Sequence, residues 1–490
     1  MLNFHARWLC LFVCFTPVVS AADPTPVAAC DKDFQEIRSQ FTLIPPTFSG
    51  LAAGELKEAN KRVHDLRGRA EAFIADCPSH AGLAETQFVL ASLLLALNRT
   101  SWSDYMLQMN QLGKKTTEVA KQKPRWTEEY FGRIAQLARS GVTGLPKEHP
   151  LRARALDLLG DTLLQLKKPR EALDRYKTLV QDYPDYPSMP SILHAMAGAR
   201  LELEEFAAGI EAIRKGMHQF PRAQNFAYFY EWLWKLQLAA GDLQALRGLA
   251  HEMLQALPAR SARKDATKAE QELTERSIGA AGFRKGYAHF ALGENDAAIA
   301  AFKSHVETLE KTKAKLGGLP QDFAIYLERS KRNLLVLEQK IGRPAPADIG
   351  IATWQGERPK PQKGRPTAIV FRGRGDERSA PFLKAIDAHH RGKKELYDLV
   401  VLSYFRGEEP VGDQLATVAQ DLGTLGVDCS AAMDPDEKGH SLFAAFEANV
   451  GTATFVVLDG EGRYAWYQQD PRAIDARFSI AVVERIAKGK

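Results

Sequence analysis

The chain has 490 residues, with 65 Lys and Arg against 60 Asp and Glu and a formal charge of +5. So small an imbalance over that length gives no sign of a nucleic-acid partner, and partners must be argued from motifs. With 45% hydrophobic and 26% charged residues, and only 25 Pro and 36 Gly, the composition also speaks against disordered, collagen-like and disulfide-dense secreted chains.

Residues 1–22 read as a cleaved export signal: Arg7 in a short n-region, an apolar stretch from Trp8 to Val19, then small Ser20, Ala21 and Ala22. The stretch is shorter than the ~20 residues needed to span a bilayer, so the mature chain is expected in the periplasm or outside the cell, with no transmembrane segment. A buried N-terminal helix is the bland alternative. Val27-Ala28-Ala29-Cys30 also resembles a lipoprotein acylation box, although that box normally abuts the apolar segment and here Ala22-Asp23-Pro24-Thr25-Pro26 intervenes.

Of five cysteines, removal of the signal leaves Cys30, Cys77 and Cys429. Cys30 and Cys77 are candidates for a disulfide tying the start of the chain to the end of a first long helix expected over 55–76. Such a loop closure is worth ~3 to 4 kcal/mol on the chain-entropy model. Two unpaired thiols are the alternative. Cys429 is left alone and reads as a small buried apolar residue.

From about residue 50 to 340 the apolar residues recur at helical spacing, with Gly, Pro or Asp punctuation every 15 to 20 residues, as in stacked helical hairpins. No consensus repeat can be placed on residues 23–150. Residues 151–340 are clearer: Leu156, Leu159, Gly160 and Leu163 share one helix, Ala172, Tyr176 and Leu179 the next, and Pro184 closes the unit. This spacing resembles the tetratricopeptide repeat, in which small residues let two antiparallel helices approach and large ones fill the seam. Pro221 and Pro258 follow at intervals of 37 residues, and Gly286, Ala298 and Phe302 restore the pattern further on. The resemblance implies a concave groove, lined by the first helix of each hairpin, that holds a peptide or protein. In the aromatic run from Phe226 to Trp234, Tyr230 and Trp234 are candidate groove anchors, against the plainer reading that an aromatic stripe at helical spacing is core.

Residues 341–490 form a different domain. Strands are expected at 367–371, 398–404, 454–458 and 463–468, with helices around 411–422 and 473–487, which implies a mixed sheet covered by helices. Gly342-Arg343-Pro344-Ala345-Pro346, Lys363-Gly364-Arg365-Pro366 and Asp459-Gly460-Glu461-Gly462 resemble, in order and spacing, the punctuation of exported redoxins of the TlpA and ResA type. That resemblance implies an α/β thioredoxin-like fold and a Cys-x-x-Cys opening the helix after the first core strand. No such motif is present: Asp376 and Ser379 occupy the thiol positions in one register, Gly373 and Asp376 in the other. Ala453 stands where the family has a cis-proline; a non-proline cis bond costs ~3 kcal/mol relative to trans, so a trans bond is expected there. The turn Gly373, Arg374, Gly375 is a candidate anion-binding turn, with helix capping by Asp376 as the plainer account. His389 and His390 lack the spacing of a metal site, and neither a metal nor another cofactor is expected.

The sequence therefore predicts a multidomain protein, an all-α repeat region followed by a thioredoxin-like domain with a degenerate active site. Its expected function is that of an exported adaptor or scaffold with a protein or peptide partner in the cell envelope. A thiol-disulfide oxidoreductase or peroxiredoxin-like enzyme using Cys429, and a peptide or carbohydrate receptor, are the alternatives.

Overall fold

The computed structural model describes residues 26–44, 53–112, 127–346, 353–355, 363–373, 376–404, 411–427, 430–434, 446 and 453–489. The export signal, Arg374, Gly375 and Cys429 lie outside them. The chain divides into two compact units, Met1–Asn225 and Phe226–Lys490. The division falls inside the run of hairpins, after Asn225, and not at residue 341, where the texture of the sequence changes.

The first unit is helical: α1 (Pro26–Phe41), α2 (Ala53–Asp76), α3 (Leu83–Leu112), α4 (Glu128–Gly144), α5 (Arg152–Gln165), α6 (Pro169–Asp182), α7 (Met189–Glu202) and α8 (Phe206–Gln219). Val63, Leu66, Phe73, Val89 and Leu93 from α2 and α3 form one core with Ile37 of α1. Cys30 and Cys77 are joined in a disulfide, with Cα atoms 6.1 Å apart and 47 residues of chain between them. Beside it, His80 Nε2 lies 2.8 Å from Asp31 Oδ1, and His80 Nδ1 accepts from the Gly82 amide, so the turn after α2 is fastened to α1 twice.

In the α5–α6 hairpin, Leu156, Leu159, Leu163, Ala172, Tyr176 and Leu179 are all buried. Gly160 is required by close approach: a Cβ there would meet the Tyr176 ring at 2.5 Å. The Tyr176 hydroxyl reaches past it to donate to Asp161 Oδ1 at 2.6 Å. Successive hairpins are laced at equivalent surface positions by Lys167–Glu202 and Arg170–Glu205 pairs. Exposed pairs of this kind contribute little, and the buried seam carries the stability.

The second unit contains α9 (Ala227–Ala240), α10 (Leu243–Ser261), α11 (Lys268–Ala291), α12 (Asn295–Leu316) and α13 (Gln321–Gln339), then the sheet region. Pro258 does not close its unit as the proline spacing suggested. It sits inside α10, and the Ala262 amide donates to its carbonyl, so the helix runs one turn further. The sheet region comprises β1 (Thr353–Gln355), β2 (Thr367–Gly373), α14 (Ala380–Gly392), β3 (Asp398–Tyr404), α15 (Val411–Thr424), β4 (Ser430–Asp434), β5 (Thr454–Leu458), β6 (Tyr464–Gln469) and α16 (Ala476–Ala487).

These strands make a six-stranded mixed sheet in the order β1-β4-β3-β2-β5-β6. β2, β3 and β4 are parallel; β5 runs antiparallel to β2, and β6 antiparallel to β5. Every residue of β2 is buried, as expected of a central strand covered on both faces. The expected strands at 398–404 and 454–458 are found with those bounds; β1 and β4 were not anticipated. β4 reads Ser-Ala-Ala-Met-Asp, with no β-branched residue to signal a strand.

The loop closed by the disulfide predicts a measurable contribution. A Cys30→Ser, Cys77→Ser double variant should lose up to about 4 kcal/mol of unfolding free energy in urea. A loss below about 1 kcal/mol would show that the closed loop is already ordered in the unfolded ensemble.

Candidate functional site

β2 leads into the turn at which the resemblance to redoxins would place the thiols. Asp376 Oδ1 accepts from the amides of Arg378 at 3.2 Å and Ser379 at 3.4 Å, and the Asp376 amide donates to the Gly373 carbonyl. Ser379, 2% exposed, stands at the N-cap of α14, but its hydroxyl donates back to the Asp376 carbonyl at 3.3 Å and not to the helix. The two side chains thus hydrogen-bond within their own turn, and neither is a thiol. Of the candidate anion-binding turn, only Gly373 is described, as the last residue of β2.

Ala453 is 1% exposed just before β5, and its carbonyl accepts from the Asp470 amide, holding the start of β5 to the end of β6. No cis peptide bond occurs among the described residues. Nor does any His, Cys, Asp and Glu cluster among them have the makings of a metal site. His389 bridges helices instead: its Nδ1 lies 3.1 Å from the Tyr397 hydroxyl and its Nε2 3.1 Å from Glu484 Oε1 of α16. The neighbouring His390 has its pKa lowered by burial.

Tyr230 and Trp234 are not solvent-facing anchors. At 3% and 7% exposure they belong to the core, because α9 is hemmed in on nearly every side. The Trp234 ring lies 5.0 Å from the Arg284 guanidinium, which in turn grips Glu231 through Nη1–Oε1 at 2.9 Å and Nη2–Oε2 at 2.5 Å. Burial pushes the Glu231 carboxyl up, but Arg284 outweighs it and holds the pKa below the usual range.

The groove face of this unit is already filled, by the chain itself. Tyr287 and Phe290 project from α11, the first helix of its hairpin, onto the sheet region. Tyr287 lies 5.4 Å from Trp466 of β6 and stacks at 5.2 Å on Phe478 of α16, and Phe290 lies 4.4 Å from Trp466. Trp466, Phe478 and Phe290 are fully buried.

The turns between paired helices record the same contact. The residue at positive φ is Lys167, Glu204, Gly241 and Gly293 in four successive hairpins. Lys167 and Glu204 are exposed. Gly241 and Gly293 face α16, and a Cβ would lie 2.8 Å from the Arg477 carbonyl oxygen in the first and against the Arg485 guanidinium in the second. Tyr287, Phe290, Trp466 and Phe478 were not singled out from the sequence; the two turn glycines were the available signal.

In the first unit, the first helices of the hairpins keep polar groups on this face. The Tyr186 hydroxyl donates to Asp157 Oδ2 at 3.1 Å, and Asn225 Nδ2 donates to Ser191 Oγ at 3.1 Å. Further along α5 and α7, Leu164 and Leu201 occupy equivalent positions and are half-buried. A cleft of about 370 Å³ beside α5 is lined by Lys147, His149, Asp182 and Tyr183, with Lys147 paired to Asp182 at 2.7 Å.

A family model described as tetratricopeptide repeat matches residues 154–186, which coincide with α5, α6 and the turn that follows. No curated protein matches the chain. Among solved structures, a chain described as "Computational Design of Self-Assembling Cyclic Protein Homooligomers" aligns with 14% identity over 64% of this chain and 97% of that one, at a TM-score of 0.14. The chain is a TPR-like helical protein with a small mixed sheet in its C-terminal part. No helix among the described residues is long and apolar enough to cross a membrane.

Glu484 ties α16 to α14 through Lys393 at 2.5 Å and His389, and the Lys393 hydrogen bond, the largest influence, brings its pKa down to about 2. A depressed carboxyl stabilises the fold above its unfolded pKa and loses that contribution as pH falls through its folded one. Glu484→Gln should therefore be less stable than the parent at pH 6, with the difference shrinking below about pH 4.5 and gone near pH 2. Thermal melts across that range check it, and a difference that persists at pH 2 contradicts the assignment.

Proposed function

We propose that this protein is an exported adaptor or scaffold of the bacterial cell envelope, which captures a protein or peptide through its helical hairpins and carries a redox-inactive thioredoxin-like domain. The observation that carries the reading is the α5–α6 hairpin, whose seam has the tetratricopeptide arrangement and whose residues match that family's model. Repeats of this kind work by presenting a groove to a partner.

Because the groove face of α11 is taken up in cis by Trp466 and Phe478, capture falls to the first unit, and there to the face of α5 and α7 that carries Leu164 and Leu201. The thioredoxin-like reading is supported by the order of elements. A parallel β2-α14-β3 unit is followed, after α15 and β4, by the antiparallel β5-β6 hairpin and a final helix packed with α14. Redox inactivity is supported by Asp376 and Ser379, whose polar groups are spent on their own turn. Export is supported by the apolar segment near the N-terminus and by a disulfide of the kind that persists in oxidising compartments.

Two measurements test this. Leu164→Glu with Leu201→Glu should weaken capture of a partner from envelope extract by an amount equivalent to ~2 kcal/mol or more while leaving the circular dichroism spectrum unchanged; undiminished capture would place binding elsewhere. The purified protein should also show no disulfide reductase or peroxidase turnover. Turnover that vanishes in Cys429→Ser would overturn the adaptor reading in favour of a one-cysteine enzyme.

A further inference from the structure

His305 of α12 stands at a position that the other hairpins fill with apolar residues or glycine. Counted from the residue at positive φ in each turn, Lys167, Glu204, Gly241 and Gly293, its place is held in the three preceding hairpins by Leu179, Gly216 and Met253, all buried. The ring is wedged between three helices. A Cβ on Gly282 of α11 would meet it at 2.3 Å, and its Nδ1 lies 2.8 Å from the Ser330 hydroxyl of α13. His305 is 6% exposed and Ser330 fully buried, and Nε2 has no hydrogen-bond partner. A neutral imidazole leaves one polar site unfilled there; a protonated one carries a donor on both nitrogens and buries a charge with no acceptor at Nε2.

The surroundings do not offset that charge. α11 presents Gly282 and the Gly279 carbonyl, and its charged neighbours turn to other partners, Glu275 to Ser261, Arg284 to Glu231 and His289 to Glu294. α13 presents Ser330, with buried Leu327 and Leu337 at helical spacing on either side. The charged residues flanking the seam are paired at its rim, Lys303 with Glu338 at 2.8 Å and Lys331 with Glu310 at 2.7 Å, while Glu307 of α12 pairs with Lys311 of its own helix. No charged group among the described residues acts on the ring, and burial brings its pKa down to about 4, outweighing the Gly279 carbonyl, which favours the charged form. We propose that His305 is an acid-sensitive latch, which holds α12 and α13 closed on α11 while neutral and releases them when the imidazole takes a proton. Phe302 and Phe323, seated against Gly286 and Gly279 of α11, are the apolar surface that release uncovers. The latch operates whether or not the helical hairpins serve as an adaptor.

A base whose folded pKa lies below its unfolded value supports the closed state fully above the unfolded value and loses that support as pH falls towards the folded one. The test is native-state hydrogen exchange on the full chain at pH 7 and pH 5. With a pKa of 6.5 when open and about 4 when closed, the opening constant of amides in α12 and α13 should rise about twentyfold between those pH values, with α5 and α6 unchanged. His305→Gln, which keeps a polar group for Ser330 but cannot take the proton, should abolish the rise. No rise in the parent, a rise retained in His305→Gln, or an equal rise in α5 and α6 overturns the latch. Should His305→Gln fail to fold, exchange of the imidazole C2 hydrogen in the parent, read by mass spectrometry on the peptide that bears His305, decides alone. A midpoint well below 6.5 upholds the proposal, and an ordinary midpoint near 6.5 with α12 and α13 still protected refutes it.

Discussion

The second unit depends on one contact, the insertion of Trp466 and Phe478 against Tyr287 and Phe290. A helical hairpin has a groove face that it cannot cover by itself, and two aromatic rings left on it would be an exposed apolar patch. Here the sheet region covers that face. Burying each large side chain is worth ~1.5 to 3 kcal/mol, and tilted or stacked ring pairs add ~0.5 to 1.5 kcal/mol beyond the area term. The same contact explains why the C-terminal region and the hairpins from Phe226 onward form one compact unit.

Two further features accompany that docking. Gly241 and Gly293 hold the left-handed turn position that Lys167 and Glu204 hold elsewhere, because α16 leaves no room for a Cβ. The Glu231–Arg284 pair, with Trp234 beside it and Ser277 donating to Glu231, fixes α9 relative to α11 with hydrogen bonds that only one alignment satisfies. A groove lined by helices held this firmly is a rigid support for a domain, whereas peptide capture is better served by the polar, partly open faces of α5 and α7.

Much of the fold was legible in the sequence because it is written in local spacing. Gly160 opposite Tyr176 and the buried Leu positions of α5 and α6 follow from helical periodicity, and β3 and β5 from short apolar runs bounded by turn residues. What was hidden depends on contacts distant in sequence. Nothing in the run Phe226 to Trp234 distinguishes groove from core, and its burial comes from neighbours such as Arg284, about fifty residues on. β4 lacks β-branched residues and is a strand only because β3 and β1 flank it. Within the candidate site, the absence of thiols at Asp376 and Ser379 could be read directly, while the covering of Tyr287 and Phe290 by Trp466 and Phe478 could not.

The central claim is that hairpin helices and sheet stand or fall together through the aromatic contact. Native-state hydrogen exchange on the full chain, comparing the parent with Trp466→Ala, tests it most directly. The account predicts that amides of α9, α11, β5 and β6 share one opening free energy, and that the variant lowers all of them alike by ~3 kcal/mol or more. Protection lost in β5 and β6 alone, with α9 and α11 unchanged, would contradict it.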